Sequence, residues 1–196
     1  FQDKKINVCE FGAGDIVENS NTLNLIKNNK INFSVFIEKD LNLFNKLSNL
    51  KLKYPEIIPI NKLVDFKKDS DDTIDNILKN NNIPNHLDIM SIDIDSFDLD
   101  IYRSIKEYHP KLLIIESGRH KYGVISEHSI DKKQNSFSSI YNVVKEKYHL
   151  IFYNGNLFFL NKTYFSEKHI NDNYYTDDEY QYLFYCIYHN YSKRNF

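Results

Sequence analysis

The sequence predicts an α/β fold, with one mainly parallel β-sheet covered by helices on both faces and a C-terminal antiparallel β-hairpin. Five short apolar runs alternate with helical patterns along the 196-residue chain, which is typical of parallel strands joined by helices. Two further β-rich runs flank Gly155, which is a hairpin signal. No repeat or long linker divides the chain, so we expect a single domain across residues 1–196.

The first half of the chain supplies three strands and two helices. The apolar runs that predict strands are "KINVCEFG", "FSVFIEKD" and "EIIPINKLV". Between them lie two helical patterns, "SNTLNLIKNN" and "LNLFNKLSNLKLKY". Ser20 is the expected N-cap of the first helix. Pro55 ends the second, because proline disfavours the helical conformation in the residue before it.

The second half continues the alternation and then changes pattern. A helix is expected at residues 71–80, where apolar side chains share one face. Strand "HLDIMSIDID", helix "LDIYRSIKEY", strand "PKLLIIES" and helix "SFSSIYNVVKEKY" follow. "HLIFY" and "LFFLN" then form the hairpin strands.

The last residues, 165–196, are expected to form an aromatic helical extension. Thr176 and Glu179 have the spacing of a capping box ahead of this helix. Its aromatic face either packs on the sheet or forms a homodimer interface, because exposed aromatic surface usually marks contacts.

Composition excludes several classes of protein. A net charge of −2 gives no reason to expect nucleic-acid binding. Cys9 and Cys186 lie far apart, which excludes a disulfide framework or a zinc site built on cysteines and indicates a reducing cytoplasm. We expect Cys9 to be a small buried hydrophobic residue. No apolar stretch approaches the roughly 18 residues of a membrane span, and we identify no signal peptide. The chain begins with Phe1, so native sequence could precede it.

The turn after the first strand has the pattern of a cofactor site. Gly12 and Gly14 would let the backbone turn tightly and approach a ligand. The third glycine of the dinucleotide fingerprint is replaced by Val17. Glu10 and Asp15 flank the turn and would repel a pyrophosphate. They suit a cofactor that carries an ammonium group and a sulfonium.

Polar residues also follow the second and third strands, where ligands of open α/β sheets bind. Glu38, 24 residues beyond Gly14, is placed to accept hydrogen bonds from both ribose hydroxyls of a cofactor. Asp40 is better explained as a helix N-cap. Asn61 would either contact an adenine edge or serve as a turn residue.

The densest group of acids follows the fourth and fifth strands. On an extended strand Ser91, Asp93 and Asp95 would share one face. Adjacent buried carboxylates need a cation, a proton or hydrogen-bond donors, so Asp93 and Asp95 are functional candidates. Glu116 ends the fifth strand. We expect Asp98 and Asp100 to be solvated.

Together these blocks resemble the FkbM-like S-adenosylmethionine-dependent methyltransferases. The blocks are "VCEFGAGD…SNT", the acid of "FIEKD", "DIMSIDIDSFD", "LLIIES" and "YHLIFYNGNLFFLN", and they run from about Ile6 to Phe165. The resemblance implies a Rossmann-like methyltransferase fold. It also implies methyl transfer from S-adenosylmethionine to a hydroxyl oxygen of a sugar or other small metabolite, as in surface-glycan pathways.

The resemblance also implies roles for individual residues. Glu10, Gly12 and Gly14 would line the methionine part of the cofactor, with Asn21 nearby, Glu38 at the ribose, Asn61 near the adenine and Asp93 near the amino group. The chain departs from the family at Ile16, where the family has glycine, and in "SGRH" after the fifth strand.

The acceptor hydroxyl must lose a proton, which requires a base or a metal ion. The base would be Asp95, Glu116 or His120. Alternatively, Asp93, Asp95 and Glu116 would bind a divalent ion through their hard oxygen ligands.

The stretch "GRHKYGVISEHSIDKKQNS" is expected to set acceptor specificity. Its basic residues would suit a phosphorylated or nucleotide-linked acceptor, although a solvated loop explains them equally well.

Two alternatives remain open. A nicotinamide-dependent oxidoreductase would share the glycine turn and Glu38, but should have the third glycine. A non-catalytic domain that binds a partner would not need the acids after the fourth and fifth strands.

Overall fold

A computed structural model describes residues 5–12, 14, 20–118, 135–153 and 155–166. The strands are β1 (Ile6–Phe11), β2 (Ile31–Glu38), β3 (Ile57–Asn61), β4 (Ile89–Ile92), β5 (Leu112–Glu116), β6 (Tyr148–Tyr153) and β7 (Asn156–Asn161). The helices are α1 (Leu23–Lys27), α2 (Leu41–Lys51), α3 (Ile74–Asn80), α4 (Asp98–Ser104) and α5 (Phe137–Val144).

The seven strands form one sheet in the order β3-β2-β1-β4-β5-β7-β6. β1 to β5 pair in parallel, and β7 pairs antiparallel with both β5 and β6. The predicted α/β class, the mainly parallel sheet and the C-terminal antiparallel hairpin are therefore confirmed. The strand order reverses between β1 and β4, which leaves a crevice at the carboxyl ends of these two strands.

Both faces of the sheet are buried, because side chains of each strand alternate between two apolar clusters. In β2, Val35 and Ile37 belong to one cluster and Phe36 to the other. This is why the strands read as continuous apolar runs rather than as alternating patterns. Cys9 is fully buried, as predicted.

Side-chain caps fix the starts of several helices. Asp40 accepts hydrogen bonds from the amides of Asn42 and Leu43 at the start of α2, as predicted. The N-cap of α1 is Thr22 rather than Ser20. The Ser20 hydroxyl nevertheless accepts from the Leu23 amide at 2.9 Å, so Ser20 supports the helix from two residues further upstream.

The fourth strand is shorter than predicted. β4 ends at Ile92, and Asp95 has a left-handed backbone with φ of 63°. The expectation that Ser91, Asp93 and Asp95 share the face of one extended strand is therefore wrong, since the chain turns before Asp95.

No helix among the described residues is both long and apolar enough to cross a bilayer. The predicted extension at 165–196 lies outside the described residues beyond Ser166, as do its capping box and Cys186.

Candidate functional site

A cavity of about 720 Å³ opens at the carboxyl ends of β1, β2, β3 and β4. Strand ends and the loops that follow them supply its walls. The described residues that line it include Gly12, Gly14, Glu38, Lys39, Asp40, Leu43, residues 62–67, Asp72 and residues 93–97. The cavity therefore lies at the point where the strand order reverses, as expected for a ligand site in an open α/β sheet.

Gly12 is required where β1 and the segment after β4 meet. Its φ is +77°, and a Cβ atom at this position would lie 1.6 Å from the carbonyl oxygen of Asp93. A side chain is thus excluded both by backbone conformation and by space. Gly14 also has a positive φ, of 54°. Both glycines lie on the cavity wall, as the interpretation of a cofactor turn requires.

Glu38 ends β2 and lines the same cavity. Its side chain is 5% exposed, and Oε1 accepts a hydrogen bond from the Asp40 amide at 2.8 Å. This bond fixes the carboxylate at the strand end, beside the glycine turn.

Asn61, expected either at an adenine edge or as a turn residue, is the last residue of β3. Its Nδ2 donates to the carbonyl oxygens of Glu38, at 2.7 Å, and Lys39, at 3.2 Å. It is not among the described residues that line the cavity. The side chain of Asn61 thus stabilises the turn that carries Glu38.

Glu10 lies behind the cavity, with 1% of its surface exposed. Its carboxylate accepts hydrogen bonds from the Ser20 hydroxyl, the Asn21 amide, and both the amide and the hydroxyl of Thr22. Burial raises the pKa of Glu10, an effect that these bonds oppose. Glu10 therefore anchors the segment that leads into α1.

Asn21 connects that segment to the middle of the sheet. Its Nδ2 donates to the Ser91 hydroxyl of β4 at 2.9 Å, and its Oδ1 accepts from Asn156 of β7 at 3.4 Å. Asn156 lies opposite Glu116 in the β5–β7 pairing. Neither Glu10 nor Asn21 is among the described lining residues.

Three carboxylates converge at the ends of β4 and β5. Asp93, Asp95 and Glu116, here called the acidic cluster, each place one carboxylate oxygen within 4.8 Å of the others. Burial, and then the negative charges of Asp93, Asp95 and Asp98, raise the pKa of Glu116 to about 8. The chain thus brings these acids together although β4 ends before them.

Asp98 is buried, so the expectation that it is solvated is wrong. It is 1% exposed, and its carboxylate accepts from the amides of Ile94, at 2.9 Å, and Ser96, at 3.2 Å. Burial raises its pKa to about 7, although those bonds lower it. The local sequence pattern gives no sign of this role. Asp100 is half-buried and faces Arg103 at 3.5 Å.

The outer wall of the cavity is largely apolar and was not predicted. It includes Leu63, Val64, Phe66 and Phe97. The rings of Phe66 and Phe97 lie 5.1 Å apart, between their centroids, and are tilted by 35°. The two loops that follow β3 and β4 therefore contact each other across this wall.

Several candidate residues lie outside the described residues. They are Asp15, Ile16, Val17, Arg119, His120 and the remaining residues to 134. The described residues on either side of this last stretch meet, because the Gly118 amide donates to the Asn135 carbonyl at 2.8 Å.

No family model and no curated protein matches the sequence. The chain is similar in structure to the citrinin polyketide synthase CMeT domain, with a TM-score of 0.53 and 12% identity over 80% of this chain and 46% of that chain. It is also similar to the CurJ carbon methyltransferase, with a TM-score of 0.51 and 10% identity over 81% of this chain and 48% of that one. A third similar structure is the DszA carbon methyltransferase, with a TM-score of 0.51 and 11% identity over 82% and 48%.

The protein therefore has a Rossmann-like methyltransferase fold. It spans about half the length of these three solved chains.

Proposed function

We propose that this protein is an S-adenosylmethionine-dependent methyltransferase that binds its cofactor in the cavity at the ends of β1, β2 and β4. One observation carries the proposal: Gly12, Gly14, Glu38 and Asp93 all line the same cavity, which lies where the strand order reverses. The chain also shares its fold with three solved methyltransferases.

The chemistry of the cavity wall supports this cofactor over a dinucleotide. Asp93 and Asp95 would repel a pyrophosphate, whereas they attract the ammonium and sulfonium of S-adenosylmethionine. Glu38 would accept hydrogen bonds from the ribose hydroxyls. The apolar wall of Leu63, Val64 and Phe97 offers a surface for the adenine ring.

Glu10 and Asn21 take a different part in this proposal from the one the resemblance implies. Both hold the start of α1 through hydrogen bonds within the protein. They therefore shape the glycine turn from behind, and cofactor contact is left to Gly12, Gly14, Glu38 and Asp93.

The acceptor would bind beside the acidic cluster, and we infer that it presents a hydroxyl group. The hydroxyl oxygen attacks the sulfonium methyl in line, S-adenosylhomocysteine leaves, and the proton passes to Asp95, or to Glu116 above its pKa of about 8. His120, the third base candidate, lies outside the described residues. A sugar or other small metabolite, phosphorylated or nucleotide-linked, is the proposed acceptor class.

The acidic cluster also fits a divalent cation. Its three carboxylates offer hard oxygen ligands at close range, and burial, followed by the neighbouring negative charges, raises the pKa of Glu116. A cation bound by Asp93, Asp95 and Glu116 would lower the pKa of an acceptor hydroxyl.

The metal is tested by calorimetric titration of Mg²⁺ into the wild-type protein, the Asp95→Asn variant and the Asp100→Asn control. Mg²⁺ should bind wild type and Asp100→Asn equally, and Asp95→Asn at least about tenfold more weakly, since a ligand is lost. Absence of heat with Mg²⁺, Mn²⁺ and Ca²⁺ would remove the metal and leave a side chain as the base.

The cofactor is tested by calorimetry with S-adenosylmethionine, S-adenosylhomocysteine and NAD. The proposal requires binding of both adenosyl ligands. Heat with NAD alone would favour a nicotinamide-dependent oxidoreductase, and heat with none of the three would favour a partner-binding domain.

Glu38→Ala tests the ribose contact in the same experiment. Loss of hydrogen bonds to a charged acceptor should weaken S-adenosylhomocysteine binding by about 10- to 100-fold. Glu56→Ala is the matched control, because Glu56 lies just before β3 and is not among the described lining residues. Unchanged affinity in Glu38→Ala would refute the ribose assignment.

A further inference from the structure

The segment after β4 forms an unusual part of the cavity wall. Residues 93–97 all line the cavity, and Asp95 at their centre has a φ of 63°. A positive φ is uncommon for residues with a side chain, although aspartate adopts it more readily than most. Contacts that fix the backbone of the Ile94–Ser96 turn therefore help to set the shape of this wall.

Asp98 supplies such contacts. One carboxylate oxygen, Oδ1, accepts from the Ile94 amide at 2.9 Å, and the other, Oδ2, accepts from the Ser96 amide at 3.2 Å. The two hydrogen bonds fix the backbone on either side of Asp95. Asp98 is 1% exposed, so solvent does not replace these bonds.

This turn also contacts Gly12, directly after β1. The space that a Cβ of Gly12 would occupy is filled by the Asp93 carbonyl group, with the Ile94 Cα 3.0 Å away. A shift of the turn would therefore move the wall on which Gly12 and Asp93 face the cavity. It would also displace the Asp95 carboxylate from the acidic cluster.

We propose that Asp98 is a positioning residue that holds the Ile94–Ser96 turn in its left-handed conformation and so sets the shape of the ligand cavity. Asp98 itself is not among the described lining residues, and it acts through the two amides. The effect on ligand affinity rests on the proposed function, whereas the effect on the turn does not.

The test compares Asp98→Asn with Asp100→Asn. An amide offers one acceptor oxygen where the carboxylate offers two, so at least one of the two turn amides loses its partner. Asp100 lies on the same helix and is half-buried. Its substitution makes the same carboxylate-to-amide change without touching the turn, which makes it a matched control.

Two readouts separate the positioning role from the proposed function. Amide hydrogen exchange in the free protein, followed by NMR at Ile94 and Ser96, reports the turn. Calorimetry with S-adenosylhomocysteine reports the cavity. Asp98→Asn should lose protection at one or both amides and weaken binding by about tenfold, whereas Asp100→Asn should do neither.

Unchanged protection and affinity in Asp98→Asn would overturn the proposal. If wild-type protein binds no adenosyl ligand, the proposed function fails, and exchange at Ile94 and Ser96 still decides the role of Asp98.

If Asp98→Asn does not fold, the test moves to the Asp95→Gly background. Glycine adopts a positive φ freely, so the turn then needs less support. A folded Asp95→Gly/Asp98→Asn variant would support the proposal. An unfolded one would contradict it, since Asp98 would then stabilise the core independently of the turn.

Discussion

At the scale of single residues, the acids of this protein have the same chemistry but distinct tasks. Glu10 uses its carboxylate to anchor backbone and hydroxyl groups that precede α1. Asp98 holds a turn, and Glu38 faces the cavity. Burial, followed by the negative charges of neighbouring acids, raises the pKa of Glu116. Burial and hydrogen-bond partners, rather than residue type, distinguish these tasks.

Gly12→Ala should abolish S-adenosylhomocysteine binding and destabilise the fold, because the new Cβ would overlap the Asp93 carbonyl. Gly155→Ala is the matched control. It has a φ of +105° but no heavy atom within 4 Å of an added Cβ, so only backbone strain of about 1–2 kcal/mol is expected. Calorimetry and urea unfolding measure the two effects. Equal losses in both variants would show that the contact with Asp93 is unimportant.

The stability of the protein should fall as pH rises from about 4.5 to about 8. Glu116 has a pKa of about 8 in the folded protein against an ordinary value of 4.5. The folded state therefore keeps a proton that the unfolded chain releases in this range. Asp98, with a pKa of about 7, acts in the same direction.

Urea unfolding at several pH values measures this dependence without added metal. Glu116→Gln should flatten it, since glutamine carries no titrating proton. Glu107→Gln, at an exposed residue paired with Lys79, should leave it unchanged. The account of Glu116 fails if its variant keeps the full slope of wild type.

At the scale of elements, apolar periodicity predicted all seven strands and the hairpin. Strand ends were less predictable than strand centres. β4 stops at Ile92 although the pattern of alternating acids continues to Asp95. The hydrogen bonds from Ile94 and Ser96 to Asp98 replace strand geometry there, and the local sequence pattern does not contain that contact.

Part of the candidate site could be predicted from the sequence, and the reason is physical. Carboxyl ends of parallel strands meet at one edge, so Gly12, Glu38 and Asp93 could be placed together from their positions after strands. The outer wall could not, because the contact between Phe66 and Phe97 joins two loops distant in sequence. The burial of Glu10 behind the cavity likewise depends on where residues 20–22 fold.

Asp75→Asn should destabilise the protein by about 2 kcal/mol without changing ligand affinity. The Asp75 carboxylate is buried and accepts from the amides of Lys106, Glu107 and Tyr108, and an amide offers one acceptor oxygen fewer. Asp75 and these amides are not among the described lining residues.

Asp69→Asn, at an exposed loop residue, is the control and should change stability by less than about 0.5 kcal/mol. Urea unfolding and calorimetry check both variants. A large loss of affinity in Asp75→Asn would mean that the loop before β5 is coupled to the cavity.

At the scale of the whole molecule, the order of strands decides where chemistry can occur. β1 and β4 lie side by side at the centre of the sheet, and the neighbouring strands bring Glu38 and Glu116 to the same edge. The antiparallel β7 places Asn156 opposite Glu116. The proposed cofactor site thus depends on the geometry of the fold rather than on one motif.

A crystal structure of the protein with S-adenosylhomocysteine tests the central claim most directly. The account predicts the ligand in the cavity of about 720 Å³, with ribose hydroxyls within hydrogen-bond distance of Glu38 and the amino group facing Asp93. A ligand bound elsewhere, or bound with its ribose turned away from Glu38, would contradict the account.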